Sequence, residues 1–134
     1  MYKVIHTELI TDNPKATADF VGKMFGWNVQ KWDNPKAEYY MWNYPGEKMG
    51  GGGIGQSEKQ GPHVDIYVDV EDVNATLDKA LSLGATEITG ETEIGGGMGY
   101  FAVIQVPGGC RLGLWAKEKS KKPAQKQTVS QQKY

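Results

Sequence analysis

Residues 63–85 carry the pattern that most limits the fold, because they specify a strand followed directly by a helix. Over residues 63–70, apolar valines and an isoleucine alternate with polar or amphipathic residues, and a period of two is typical of a half-buried strand. Asp72 then fits the N-cap of a helix, and Gly84 fits the position just after its end. The segment therefore predicts a strand with one apolar and one polar face, followed by a helix.

The same pattern occurs once more near the N-terminus, in residues 5–27. Aligning the two segments places His6 on Asp65 and Glu8 on Tyr67, and the apolar positions of the two strands also coincide. Each segment is followed by stretches that read as three further strands. Two copies are too few for a solenoid, so the pattern indicates two similar half-domains related by a pseudo-twofold axis.

The first helix is predicted to begin after Asn13, which fits an N-cap, and to end near Phe25. Ala16, Phe20 and Met24 are spaced by four residues along it. Residues with that spacing share one face of a helix. We therefore expect these three side chains to form the face that packs on the core.

Two stretches between the repeats have a less direct interpretation. Residues 37–44 read as an aromatic strand, but the sequence leaves open which of its faces points toward a site. Residues 49–55 are rich in glycine, and no helical pattern follows them. A phosphate-binding loop would need that helix, so the glycines favour either a weak strand or an edge that another group approaches closely.

Composition excludes several classes of partner. The net charge of the 134-residue chain is −1, which gives no broad basic surface for nucleic acid. Cys110 is the only cysteine, and the sequence contains no signal peptide and no apolar run long enough to cross a membrane. We therefore expect a cytoplasmic protein without nucleic-acid or membrane partners.

The folded domain is predicted to cover residues 1–116, with halves at 1–56 and 62–116. Residues 117–134 are rich in lysine and glutamine and contain few groups that a core would bury. That composition predicts a disordered tail.

Three segments together, residues 5–27, 64–85 and 93–115, resemble the vicinal oxygen chelate superfamily. This superfamily includes glyoxalase I, extradiol dioxygenases and bleomycin-resistance proteins, and the similarity is greatest to small glyoxalase-related proteins of unassigned function. The resemblance implies an α+β, glyoxalase-like fold. In it, two βαβββ half-domains form a curved mixed sheet, shaped as a cup with the helices outside.

The resemblance also implies where a divalent metal would bind. Metal-dependent members carry one ligand on the first strand and one on the last strand of each half. The first-strand positions correspond to His6 and Asp65, and both side chains can bind a divalent ion. The last-strand positions fall in residues 50–53 and on Gly113, which offer no ligating side chain. The usual ligand set is thus incomplete, with at most His6 and Asp65 retained.

Three functions from different classes fit this resemblance. The first is binding of a small molecule in the cup without chemistry, and the acidic floor favours a cationic or hydrogen-bond-donating ligand. The second is a lyase or isomerase related to lactoylglutathione lyase, which would use a divalent metal at His6 and Asp65. The third is a structural or interaction role with a vestigial cup. The candidate ligand-binding residues are His6, Glu8, Trp42, His63, Asp65, Tyr67 and Trp115.

If the chain is a catalyst, the best candidates are His6 and Glu8. A carboxylate beside an imidazole orients it and can make it a general base, and we expect His6 to bond to Glu8 or Asp65.

Members of the superfamily often dimerise, so the resemblance also implies a homodimer.

Overall fold

The computed structural model describes residues 2–33, 37–48 and 50–124. The elements in chain order are β1 (Val4–Thr11), α1 (Pro14–Phe25), β2 (Asn28–Lys31), β3 (Tyr39–Asn43), β4 (Gly52–Gln56), β5 (His63–Asp69), α2 (Val73–Ser82), β6 (Thr86–Glu93), β7 (Tyr100–Gln105) and β8 (Arg111–Ala116). Each helix follows one strand and precedes three, so the predicted α+β fold of two βαβββ halves is confirmed. None of the helices in these described ranges has the length and apolar character needed to cross a lipid bilayer.

The chain divides into two compact units. The N-terminal unit comprises residues 3–67, and the C-terminal unit comprises residues 68–124 of the described chain together with Tyr2. The division falls within β5, whereas the sequence suggested a boundary in the linker between residues 56 and 62.

The N-terminal unit contains a mixed sheet with strand order β2-β3-β4-β1. Strands β2, β3 and β4 are antiparallel neighbours, and β1 pairs with β4 in parallel. Helix α1 begins at Asn13, whose side chain accepts a hydrogen bond from the Ala16 N–H at 3.1 Å. It ends at Gly26, whose φ of 72° lies in the left-handed region that glycine adopts without strain. Both ends of α1 therefore lie where the sequence placed them.

The buried face of α1 differs from the predicted stripe. The helix packs with Pro14, Ala18 and Val21, while Phe20 and Met24 are 61% and 64% exposed. Ala18 and Val21 share a core cluster with a tryptophan and an isoleucine of the sheet. Because the sheet supplies the bulky groups, the facing helix positions need small side chains, and spacing alone does not reveal this.

The C-terminal unit contains β8-β7-β6 as an antiparallel ladder packed against α2. Its buried apolar residues are Val70, Val73, Leu77, Ala102, Ile104, Leu114 and Ala116. Asp72 caps α2 as predicted, since its Oδ1 accepts a hydrogen bond from the Ala75 N–H at 2.9 Å.

Residues 117–124 lie against the first turn of α2. The Ser120 hydroxyl accepts a hydrogen bond from the Asn74 N–H at 2.8 Å, and the Asn74 amide donates to the Lys122 carbonyl at 2.8 Å. The Lys121 and Lys122 N–H groups donate to Asp72 Oδ2 at 2.8 and 3.2 Å. The segment thus belongs to the folded unit, although the sequence assigned it to a disordered tail. Composition misses this contact because polar side chains and backbone make it; residues 125–134 lie outside the described residues.

Asp72 serves both the helix and this segment, whereas Asn13 caps only its own helix. Losing an N-cap side chain costs about 1 kcal/mol. We expect Asp72→Ala to lower the free energy of unfolding in urea by more than Asn13→Ala, because it also removes acceptors for residues 121 and 122. In a chain ending at residue 116, the two substitutions should have similar costs. Equal costs in the full chain would contradict the double role of Asp72.

The same carboxyl group predicts an acid dependence. Burial acts to raise the pKa of Asp72, but hydrogen bonds from the Ala75, Lys122 and Lys121 N–H groups and the Ser120 hydroxyl outweigh it and lower the pKa. Because the folded-state pKa lies below the unfolded one, about 3.9, this stabilisation is present above that pH and is lost as pH falls through the folded pKa. Acid unfolding of Asp72→Asn should therefore show a weaker pH dependence than that of the unmodified chain.

Candidate functional site

Polar side chains gather on one face of the N-terminal unit. Alternation along β1 places His6 and Glu8 on the same side of that strand, and alternation along β5 does the same for His63, Asp65 and Tyr67. All five residues belong to the same compact unit, residues 3–67. The sequence predicted each of them as a ligand-binding residue.

The centre of this face is a residue that the sequence did not single out. Tyr39 of β3 donates a hydrogen bond from its hydroxyl to Glu8 Oε2 at 2.6 Å, and the same hydroxyl oxygen lies 3.1 Å from His6 Nε2. His6 Nε2 and Glu8 Oε2 are themselves 3.9 Å apart, which is too far for a direct hydrogen bond. The phenol therefore bridges the imidazole and the carboxylate.

Tyr67 completes this group. Its hydroxyl donates to Glu8 Oε1 at 3.4 Å, and its ring meets the His6 ring edge-on with centroids 5.9 Å apart. His6, Glu8, Tyr39 and Tyr67 are called the Tyr39 cluster below. Asp65, one of the two partners that the sequence suggested for His6, instead bonds to His63.

A glycine on β4 makes room for the bridging phenol. Gly53 pairs with Glu8 in the β1–β4 ladder, and a Cβ atom on it would lie 1.7 Å from the Tyr39 hydroxyl oxygen. At Gly52, a Cβ atom would lie 2.0 Å from the Thr7 carbonyl oxygen. Residues 52–56 form a strand, and other groups approach it closely at Gly52 and Gly53, so both alternatives that the sequence left open apply to this part of the stretch.

Tyr39 also settles which face of β3 carries the polar group. Trp42 lies three residues further along β3, and its side chain therefore points to the opposite face. It is only 4% exposed and packs in the core with Ala18 and Val21 of α1. Trp42 was predicted to line the ligand site, and the structure corrects this, because its indole fills the space under the helix. The sequence pattern placed Tyr39 on the opposite face of the strand, but aromatic residues occur on both faces and gave no reason to choose it.

Trp115, the other predicted wall residue, belongs to the C-terminal unit. Its indole N–H donates to the Met98 carbonyl at 2.8 Å. Its assignment as a ligand-binding residue stays a prediction.

His63 and Asp65 form a separate pair. His63 Nδ1 lies 2.9 Å from the Gly61 carbonyl, which can only accept, so this ring nitrogen carries a proton. His63 Nε2 lies 3.2 Å from Asp65 Oδ2. Both ring nitrogens of His63 therefore have partners. The buried Asp65 is in this way paired by its neighbour on the same strand.

Burial and Glu8 determine the charge states within the Tyr39 cluster. Burial lowers the pKa of His6, although the nearby Glu8 carboxylate opposes this, and the lowered pKa favours the neutral imidazole. Burial also raises the pKa of the Tyr39 phenol, and the charge of Glu8 and its hydrogen bond act in the same direction. Tyr39 therefore keeps its proton and donates it to Glu8.

The donor set does not fit the metal site implied by the superfamily resemblance. Across the described ranges, no three His, Cys, Asp or Glu side chains are grouped so that they could hold a metal ion. His6 Nε2 is engaged by Tyr39, and Asp65 by His63. The position opposite Glu8 is Gly53, and the phenol occupies the space that a ligating side chain would need there.

The role of Gly53 can be tested against a glycine on the same strand. Gly53→Ala should displace the Tyr39 hydroxyl and lower the free energy of unfolding by about 1–3 kcal/mol, as overpacked sites do. At Gly55, a Cβ atom would lie 3.2 Å from Tyr39 Cδ1 and 3.5 Å from Ile10 Cδ1, so Gly55→Ala should cost less. Urea unfolding of both variants measures the difference. Equal costs would contradict the claim that the hydroxyl position depends on Gly53.

Comparison with known proteins gives one family and several similar folds. The model of a family described as "Glyoxalase-like domain" matches residues 6–113. None of the curated proteins matches the chain.

Solved structures with the same fold include enzymes and a hypothetical protein. Methylmalonyl-CoA epimerase from Streptomyces coelicolor, in complex with 2-nitronate-propionyl-CoA, is 16% identical with a TM-score of 0.64, covering 91% of this chain and 99% of that one. A hypothetical protein from Bacillus halodurans C-125 is 13% identical with a TM-score of 0.66, covering 92% and 98%. The Mn(II)-bound glyoxalase from Novosphingobium aromaticivorans is 10% identical with a TM-score of 0.64, covering 95% of this chain and 42% of that one. At these identities the likeness shows the fold alone.

Proposed function

The chain belongs to the glyoxalase-like domain family, within the vicinal oxygen chelate superfamily, and from that premise we propose that it binds a small molecule at the Tyr39 cluster without requiring a metal. The observation that carries this proposal is the position of the Tyr39 hydroxyl, 2.6 Å from Glu8 Oε2 and 3.1 Å from His6 Nε2. The phenol joins an imidazole and a carboxylate whose own side chains are too far apart to bond directly. The hydrogen bonds that hold the cluster together are thus made by protein side chains alone.

The Tyr39 cluster is accessible to solvent and is bordered by aromatic side chains. The side chains of His6 and Glu8 remain 31% and 17% exposed, so a ligand can reach them. The Trp32 and Tyr39 rings meet edge-on with centroids 5.8 Å apart. A few polar groups among aromatic side chains are the usual composition of a small-molecule site.

The second candidate is a divalent-metal-dependent lyase or isomerase that uses His6 and Asp65. The Mn(II)-bound glyoxalase among the structural neighbours favours it. It would require Asp65 to leave His63, whereas His6 keeps its Nδ1 lone pair while Nε2 bonds to Tyr39. With at most two protein ligands, one of them already paired, it ranks below metal-independent binding.

Thermal unfolding with a small-molecule library tests the proposal directly. A ligand at a hundredfold excess over its Kd adds about 2.7 kcal/mol to the stability of the folded state. We expect at least one ligand to raise the midpoint of the chelator-treated protein and of Tyr40→Phe, whose hydroxyl bonds to the exposed Glu38. The same ligand should raise the midpoint of Tyr39→Phe by clearly less.

The same assay separates the two candidates. A midpoint that rises only with added Mn, Ni, Zn or Mg, and no longer rises in His6→Ala and Asp65→Ala, would favour the metal-dependent enzyme. A ligand that shifts Tyr39→Phe as strongly as the unmodified protein would contradict binding at the Tyr39 cluster.

We also propose a homodimer and a cytoplasmic location. The first follows from the family, whose members often dimerise. The second follows from the single cysteine, Cys110, which is exposed. Light scattering of the purified chain measures the first, with a monomer mass as the contradicting result.

A further inference from the structure

We infer that the hydrogen-bond chain Glu8–Tyr39–His6 leaves His6 Nδ1 as an open proton acceptor, so that the site selects ligands presenting an N–H or O–H donor and carrying no negative charge. This inference rests on the proposed function, because it names the ligand class of the same site.

The number of protons in the cluster determines which group donates in each of its hydrogen bonds. A phenol has a single proton, and Tyr39 gives that proton to Glu8 Oε2 across the 2.6 Å contact. The Tyr39 oxygen can therefore only accept in its 3.1 Å contact with His6 Nε2. His6 must donate from Nε2, so this nitrogen carries a proton.

The other ring nitrogen of His6 follows from this assignment. An imidazole that carries one proton on Nε2 has a lone pair on Nδ1. Within the described part of the chain, no hydrogen bond to His6 Nδ1 occurs, and the side chain is 31% exposed. Nδ1 is thus an unused acceptor on a side chain that is partly open to solvent.

The charges around this acceptor exclude anions. The groups facing the His6 ring are the Glu8 carboxylate, the Tyr39 phenol and the Tyr67 ring. Only Glu8 among them carries a charge at neutral pH, and that charge is negative. A carboxylate or phosphate would be repelled by Glu8 and would offer no proton to Nδ1. An amide, alcohol, amine or amidine meets both requirements.

Tyr39 acts in this scheme as a positioning residue, because it holds the Nε2 proton of His6 in place. In Tyr39→Phe the ring loses its acceptor, and either nitrogen can then carry the proton. The selection for donors should weaken accordingly. Tyr40 is the matched control, since it neighbours Tyr39 and its hydroxyl bonds to Glu38 outside the cluster.

Four benzene derivatives of similar size test the ligand class. Benzamide and benzamidine present N–H donors, N,N-dimethylbenzamide has none, and benzoate is an anion. Each is titrated into full-length protein labelled with 15N-histidine, and the His6 resonances are followed by NMR. We expect benzamide and benzamidine to bind at least tenfold more tightly than the other two in the unmodified protein and in Tyr40→Phe. In Tyr39→Phe, the preference for benzamide over its dimethyl analogue should fall below threefold.

The outcomes test the ligand class and binding at the Tyr39 cluster separately. If N,N-dimethylbenzamide or benzoate perturbs His6 as strongly as benzamide, the ligand class is overturned, while binding at the Tyr39 cluster stands. If the preference for donors survives unchanged in Tyr39→Phe, the positioning role of Tyr39 is overturned. If none of the four probes perturbs His6 at millimolar concentration, both the ligand class and the proposed binding site are overturned.

Discussion

The candidate site depends on one hydroxyl group, that of Tyr39. It lies within hydrogen-bond distance of both Glu8 and His6, whose own side chains are too far apart to bond directly. Its position requires the absence of a side chain at Gly53, so the β4 glycines are part of the site rather than a flexible spacer. A carboxylate, an imidazole and a phenol that are each partly buried would be costly without hydrogen-bond partners. Arranged around one shared oxygen, they satisfy one another.

The repeated halves of the chain have diverged in chemistry at corresponding positions. His6 and Asp65 align in the repeat, yet His6 bonds to a tyrosine from another strand while Asp65 bonds to the histidine two residues before it. The first arrangement leaves an imidazole with a lowered pKa and an open nitrogen. The second pairs a buried carboxylate with a ring whose two nitrogens both have hydrogen-bond partners. In the N-terminal unit, the first arrangement is thus the one suited to meet a ligand.

The sequence predicted the fold better than the site, for identifiable reasons. Local signals such as the caps at Asn13 and Asp72 depend only on neighbouring residues, and the structure confirms both. The buried face of α1 and the orientation of Trp42 depend on which strand packs beneath the helix, which spacing does not specify. Tyr39 could be found only by pairing β3 with β4 and asking what fills the space above Gly53. The hydrogen-bond partners of the two histidines depend on such strand pairing and could not be read from composition.

The protonation state of His6 in the free protein tests the central claim most directly. The chain contains two histidines, so 15N-histidine labelling gives few signals, and a His6→Gln variant assigns them. Long-range 1H–15N couplings near neutral pH distinguish the two neutral tautomers from each other and from the charged ring. The account predicts a neutral His6 with its proton on Nε2. A proton on Nδ1, or a charged ring at neutral pH, would contradict it.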